Sequence, residues 1–115
     1  MKKWLLLITL AFISSSAVAF NESFLMYSPV SYFTKDDIKL FNNAKNEALN
    51  EARDNTKISW NNPSSGSHGY FVPSNTATQN GLTCRSLLIY SVANKVPGQS
   101  SYRVCKINGI WKVMQ

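Results

Sequence analysis

The dipeptide Asn108-Gly109, set between residues 101–107 and 110–114, narrows the fold more than any other feature. Both flanks are rich in β-forming residues, and Asn-Gly suits the positive dihedrals of a two-residue type I′ turn, so the spacing predicts a terminal β-hairpin. With Ile107 opposite Ile110, the pairs Lys106/Trp111 and Val104/Val113 share one face, and Cys105/Lys112 and Arg103/Met114 share the other. The Lys106 stem is then placed to lie over Trp111. The inward face stays open in the pattern: Val104, Trp111 and Val113 argue for one side, and Cys105, Ile107, Ile110 and Met114 for the other.

The N-terminus has a different character. Met1-Lys2-Lys3 is a short basic segment, residues 4–13 are apolar, and residues 14–19 end in the small-x-small pattern Ala17-Val18-Ala19. This is the layout of a secretory signal peptide over residues 1–19, with cleavage expected after Ala19. The apolar run is too short for a membrane span, and no other stretch is long enough. No Cys follows the cleavage site, so a lipid anchor at the new N-terminus is not expected.

Export gives the two cysteines a meaning. An even count in an oxidising compartment reads as one disulfide, Cys84 to Cys105. The loop-entropy model assigns such a bond about 3 kcal/mol. A redox pair calls for C-x-x-C spacing. Two cysteines and the single His68 fall short of a four-ligand metal site, and no cofactor is expected.

Between these features lie a helix and more strands. Residues 20–33 form an apolar, aromatic arm interrupted by Pro29. Thr34 with Asp37 three residues on is a capping-box-like start, and Ile38, Phe41, Ala44, Ala48 and Ala52 then recur at helical spacing, predicting a helix over 35–53. Its other face, with Asn42, Asn43, Asn46, Glu47 and Asn50, reads as a solvated surface. Beyond Asn55 the period shortens. Strands are expected over 57–60, 69–72, 82–92, 101–107 and 110–114, with turns at 61–66 and polar loops over 73–81 and 93–100. A Cys84–Cys105 bond requires the 82–92 and 101–107 strands to lie side by side. The expected fold is therefore α+β: one N-terminal helix packed on a small antiparallel meander with one disulfide, occupying residues 34–115.

Charge is unevenly placed. Twelve basic and six acidic residues become ten and six when Lys2 and Lys3 leave with the signal, a net +4. Residues 55–115 hold six bases (Lys57, Arg85, Lys95, Arg103, Lys106, Lys112) and no acid. Such asymmetry steers toward an anionic partner, such as lipopolysaccharide, acidic headgroups or an acidic protein, with Arg85, Arg103, Lys106 and Lys112 as candidate contacts. Nucleic acid satisfies the same charge, but an exported protein seldom meets it.

Three segments carry a family resemblance. Trp60-Asn61-Asn62-Pro63-Ser64-Ser65-Gly66-Ser67-His68-Gly69-Tyr70-Phe71-Val72-Pro73, then Gly81-Leu82-Thr83-Cys84-Arg85, then Cys105-Lys106-Ile107-Asn108-Gly109-Ile110-Trp111-Lys112 resembles the C-terminal domain of the rickettsial-type seventeen-kilodalton surface antigen family. The shared pattern is W-x-N-P-x-S-G-x-x-G-x-x-x-P, G-x-x-C-R and C-[KR]-x-x-G-x-W, in that order, over residues 59–112. The resemblance implies a small exported domain of the bacterial envelope without established catalytic activity, and it supplies no site residues. Familiar members carry a lipoprotein cysteine and a glycine-rich segment ahead of the domain. Here Phe20 follows Ala19, and all five glycines lie after position 65.

Catalysis is poorly provided for. An acyl-transfer enzyme needs a nucleophile, a base and an oxyanion site, and the only histidine is His68, in the turn-forming run Ser64-Ser65-Gly66-Ser67-His68-Gly69. Glycosidase chemistry needs two inward carboxylates, whereas Asp36, Asp37, Glu47, Glu51 and Asp54 read as cap and solvent-face residues of one helix. The expectation is a noncatalytic exported envelope domain, in the periplasm, on the outer membrane or outside the cell, acting by binding or structural support. The alternative is a secreted effector or inhibitor, or an accessory part of a secretion apparatus.

Overall fold

A computed structural model of the protein describes residues 17–19 and 29–114, the side chains of 17–19 excepted. The basic and apolar parts of the expected signal peptide, and most of the aromatic arm, lie outside the described residues. One helix, α1 (Lys35–Asn50), packs on an antiparallel meander of five strands: β2 (Ile58–Asn61), β3 (His68–Gln79), β4 (Leu82–Ala93), β5 (Val96–Ile107) and β6 (Ile110–Met114). A three-residue strand, β1 (Ala17–Ala19), pairs antiparallel with the outer edge of β6, Val18 opposite Val113. The sheet order is β1-β6-β5-β4-β3-β2.

Helix α1 begins where its sequence directs. The Thr34 hydroxyl accepts from the Asp37 N–H at 3.1 Å while the Asp37 carboxylate accepts from the Thr34 N–H at 2.9 Å, a complete capping box. Asp36 and Asp37 also sit at the positive end of the helix dipole. Phe41, Ala44, Ala48 and Leu49 are buried along one face. Phe41 meets Phe71 of β3 edge-on at 4.9 Å and Trp60 of β2 at 6.0 Å, and the half-buried Phe33 closes the same cluster. The described end of the arm is tied down too. A single 3-10 turn, Pro29–Tyr32, buries Pro29 and Val30, and a Cβ at Gly98 would come within 2.5 Å of the Pro29 ring, so β5 admits only glycine beneath it.

The terminal hairpin has the expected register, Ile107 opposite Ile110, Lys106 opposite Trp111 and Val104 opposite Val113. The inward face is now settled. Arg85, Leu87 and Ile89 of β4, Val104 of β5 and Val113 of β6 are buried toward the helix, whereas Cys105, Lys112, Leu88 and Tyr90 alternate onto the opposite face. Cys84 and Cys105 are direct cross-strand partners, Cα atoms 4.0 Å apart, and form the disulfide.

Two segments expected as loops are strand. Residues 73–79 continue β3 through a bulge between Ser74 and Ala77, where Asn75 takes φ 48°, and residues 96–100 continue β5. The β3–β4 and β4–β5 turns are thus just Asn80-Gly81 and Asn94-Lys95, each with both φ values positive, as at Asn108-Gly109. Pro97 fits inside β5 because β6 covers that strand only over residues 104–107, so its missing N–H faces an unpaired edge. Helix α1 also stops three residues before the expected Arg53, for a reason that lies in β4.

Candidate functional site

Arg85 ends the helix. Its Nη1 donates to the carbonyls of Ala48 (2.8 Å) and Leu49 (3.0 Å), its Nη2 to the Ala52 carbonyl (2.7 Å) and the Asp54 carboxylate (3.1 Å), and its Nε to the Thr76 hydroxyl (2.7 Å). The terminal carbonyls of a helix have no partners within it, and a cation there complements the dipole. The sequence offers no glycine stop after Asn50, and Arg85 fills that role from 36 residues away. Asp54 is fixed in turn by the Thr76 hydroxyl, the Thr76 N–H and Arg85, which hold its carboxyl below the usual range. With all five N–H donors engaged and 6% of the residue exposed, Arg85 has no donor left for a partner. It leaves the set of candidate contacts.

The loop of the resemblance, residues 61–68, has the matching role at the other end of the helix. Asn62 Nδ2 and Ser65 Oγ both donate to the Asp37 carboxylate, at 2.7 and 2.6 Å. Burial alone pushes the Asp37 carboxyl up, but the hydrogen bonds from Ser65, Thr34, Asn62 and Ser67 together outweigh it and hold the group below its ordinary value. The Asn62 side chain also accepts from the Ser64 N–H, and Gly66, at φ 79°, returns its N–H to the Asn62 carbonyl. Gly69 is required by close approach, since a Cβ there would lie 2.1 Å from the Tyr90 carbonyl and 3.1 Å from the Trp60 indole nitrogen. His68 is exposed and its ring contacts the Gly66 carbonyl. The serine of this loop therefore donates directly to the acid, and the histidine is turned elsewhere.

The remaining three cations fall on two faces. Arg103 and Lys112 lie on the sheet face away from the helix, where Arg103 is bonded to Gln79, the Asn75 carbonyl and Ser86. Lys57 stands over the Tyr70 ring on that face, and Tyr70 stacks on Tyr90. Lys106 lies on the helix side, its ammonium 5.9 Å from the centroid of the Trp111 ring. The structure does not gather the predicted contacts into one patch.

It builds a groove around Lys106 instead. Trp111 is half-buried, and its indole N–H donates to Asn50 Oδ1 at 2.9 Å, fixing the ring against the last residue of α1. Two open depressions share Leu49, Asn50 and Trp111. One, of about 400 Å³, continues to Thr76, Thr83 and Lys106; the other, of about 340 Å³, continues to Lys45, Asn46 and Ile110. Lys106 makes no ion pair among the described residues. Asn46 and Asn50 were read from sequence as solvated surface. Their spacing of four was the signal that they share one helix face.

Among the described residues no group of three or more His, Cys, Asp or Glu side chains is placed to hold a metal ion, and no helix is long and apolar enough to cross a membrane. No family model, curated protein or solved structure matches this chain.

Proposed function

We propose that the protein is a noncatalytic, exported domain of the bacterial envelope, of surface-antigen type, that binds an anionic envelope component. The observation that carries this reading is Lys106: an exposed cation without an ion-pair partner among the described residues, set on a fixed tryptophan at a groove, in the acid-free part of the chain. The signal-peptide pattern and the Cys84–Cys105 disulfide support export, since such bonds persist in oxidising compartments. The motif resemblance supports the envelope class. The hydrogen bonding of the 61–68 loop supports the noncatalytic reading, because Ser65 is given to Asp37 and His68 to a carbonyl.

A second reading rests on the other face. Tyr70, Val72, Leu88 and Tyr90 form a half-buried apolar strip on the sheet face away from the helix, flanked by Lys57 and Arg103. A secreted effector or inhibitor that docks on a protein would use this strip. Sedimentation with vesicles containing anionic lipid or lipopolysaccharide separates the two. The first reading expects salt-sensitive binding that Lys106→Gln weakens and Leu88→Lys leaves intact; binding that is indifferent to Lys106 contradicts it.

A further inference from the structure

Deepening that reading, and resting on it, we propose that the two depressions flanking Trp111 are adjacent subsites for an acidic glycan, two sugar units straddling the indole with the carboxylate or phosphate of one set against Lys106. The lining is matched to such a ligand. Sugars present an apolar C–H face and a rim of hydroxyls, so a site for them combines an aromatic ring with amide and hydroxyl groups; a lipid tail would need a deeper apolar cleft. Here the apolar part is Trp111 with Leu49, and the rest is Thr76, Thr83, Asn46 and Asn50.

The ring is also held in place before any ligand arrives. The 2.9 Å bond to Asn50 and the cross-strand pairing with Lys106 restrict its rotamers, which lowers the ordering cost of stacking. Asn50 uses Oδ1 for Trp111, so its Nδ2 remains to donate to a hydroxyl, and Asn46 lies one turn back on the same helix face. The two hollows have only Leu49, Asn50 and Trp111 in common, which makes the indole the divide between them. A ligand filling both must cross it.

Charge fixes the direction. Glu47 and Glu51 line a third depression beyond Asn50, and Lys45 of the second hollow is buried and donates to Asn42 Oδ1 at 3.1 Å, whereas the hollow with Thr76 and Thr83 has the exposed Lys106 at its side. An anionic group is favoured at the Lys106 end and disfavoured toward the glutamates. Arg85 at that end is paired with Asp54 at 3.1 Å and has every donor engaged, which leaves the direct contact to Lys106.

The test is a nuclear magnetic resonance titration of the natively purified, disulfide-bonded protein, reading the Trp111 indole N–H while adding digalacturonate, maltose or inorganic phosphate. The expected result is a saturable shift with digalacturonate, at least tenfold tighter than with maltose, and a tenfold loss of digalacturonate affinity in Lys106→Gln that brings the two sugars level. Lys106 is exposed, so the variant is expected to fold; Asn50→Ala is the second probe, weakening both sugars together. No saturable shift at roughly 10 mM of either sugar overturns the proposal, as does an equal response to phosphate alone. If vesicle binding persists through Lys106 while the sugars fail, the anionic-partner reading stands and the glycan assignment falls.

Discussion

Arg85 of β4 donates to the Ala48 carbonyl at 2.8 Å, joining the middle of the sheet to the last turn of the helix. Replacing Arg85 with Met keeps the stem but strands the Ala48, Leu49 and Ala52 carbonyls, and a loss of about 3 kcal/mol is expected in urea unfolding. Arg85→Lys is expected to recover little, because one ammonium cannot reproduce a planar fork aimed at five acceptors. Full recovery by Lys would show that charge alone, and not the fork, ends the helix.

Asp37 gives the stability a pH signature. Its carboxyl sits below the ordinary value of 3.8 in the folded protein, so the stability it contributes is present above that value and is lost as pH falls through the lower, folded one. Asp37→Asn is expected to cost about 2 kcal/mol at neutral pH. The gap from the parent should narrow as pH drops below 3.8. Parallel curves across that range would show that the carboxylate charge plays no part.

Gly69 tests the packing of the 61–68 loop and the start of β3 against Trp60. A methyl group there meets the Tyr90 backbone, which cannot swing aside, so Gly69→Ala is expected to lower stability by about 3 kcal/mol and to perturb the buried Trp60 fluorescence. An unchanged midpoint and spectrum would place Trp60 away from β3.

The disulfide links β4 to β5 near the start of one and the end of the other. Reduction, or Cys84→Ser with Cys105→Ser, is expected to lower stability by about 3 kcal/mol through the unfolded chain, with little change in the folded spectrum.

Removal of residues 1–19 uncovers the outer edge of β6, which β1 pairs with over Lys112–Met114 in the full chain. Amide exchange in residues 112–114 is therefore expected to be faster in the 20–115 form than in the full chain. Equal exchange would mean that another segment takes the place of β1 on that edge.

What the sequence disclosed depended on range. The Thr34/Asp37 cap, the Asn108-Gly109 turn and the Cys84/Cys105 pair are local or unique, and each is found as expected. Residues 73–79 and 96–100 were misread because their Ser, Thr, Asn, Pro and Gly favour turns in isolation, while strand pairing with β4 overrides that preference. The Asn94-Lys95 turn escaped notice because lysine seldom takes a positive φ. Arg85 looked like a free cation because four of its five partners, the three helix carbonyls and Asp54, are more than 30 residues away. Its place in the alternation with Leu87 and Ile89, both apolar and inward, was the available sign.

The most direct measurement follows the native protein through cytosol, periplasm, washed outer membrane and culture medium, with its intact mass taken in each. The account predicts a chain beginning at Phe20, two hydrogens light, in the envelope fraction and released from it by salt. An unprocessed, reduced chain retained in the cytosol would contradict export, and with it the proposed function.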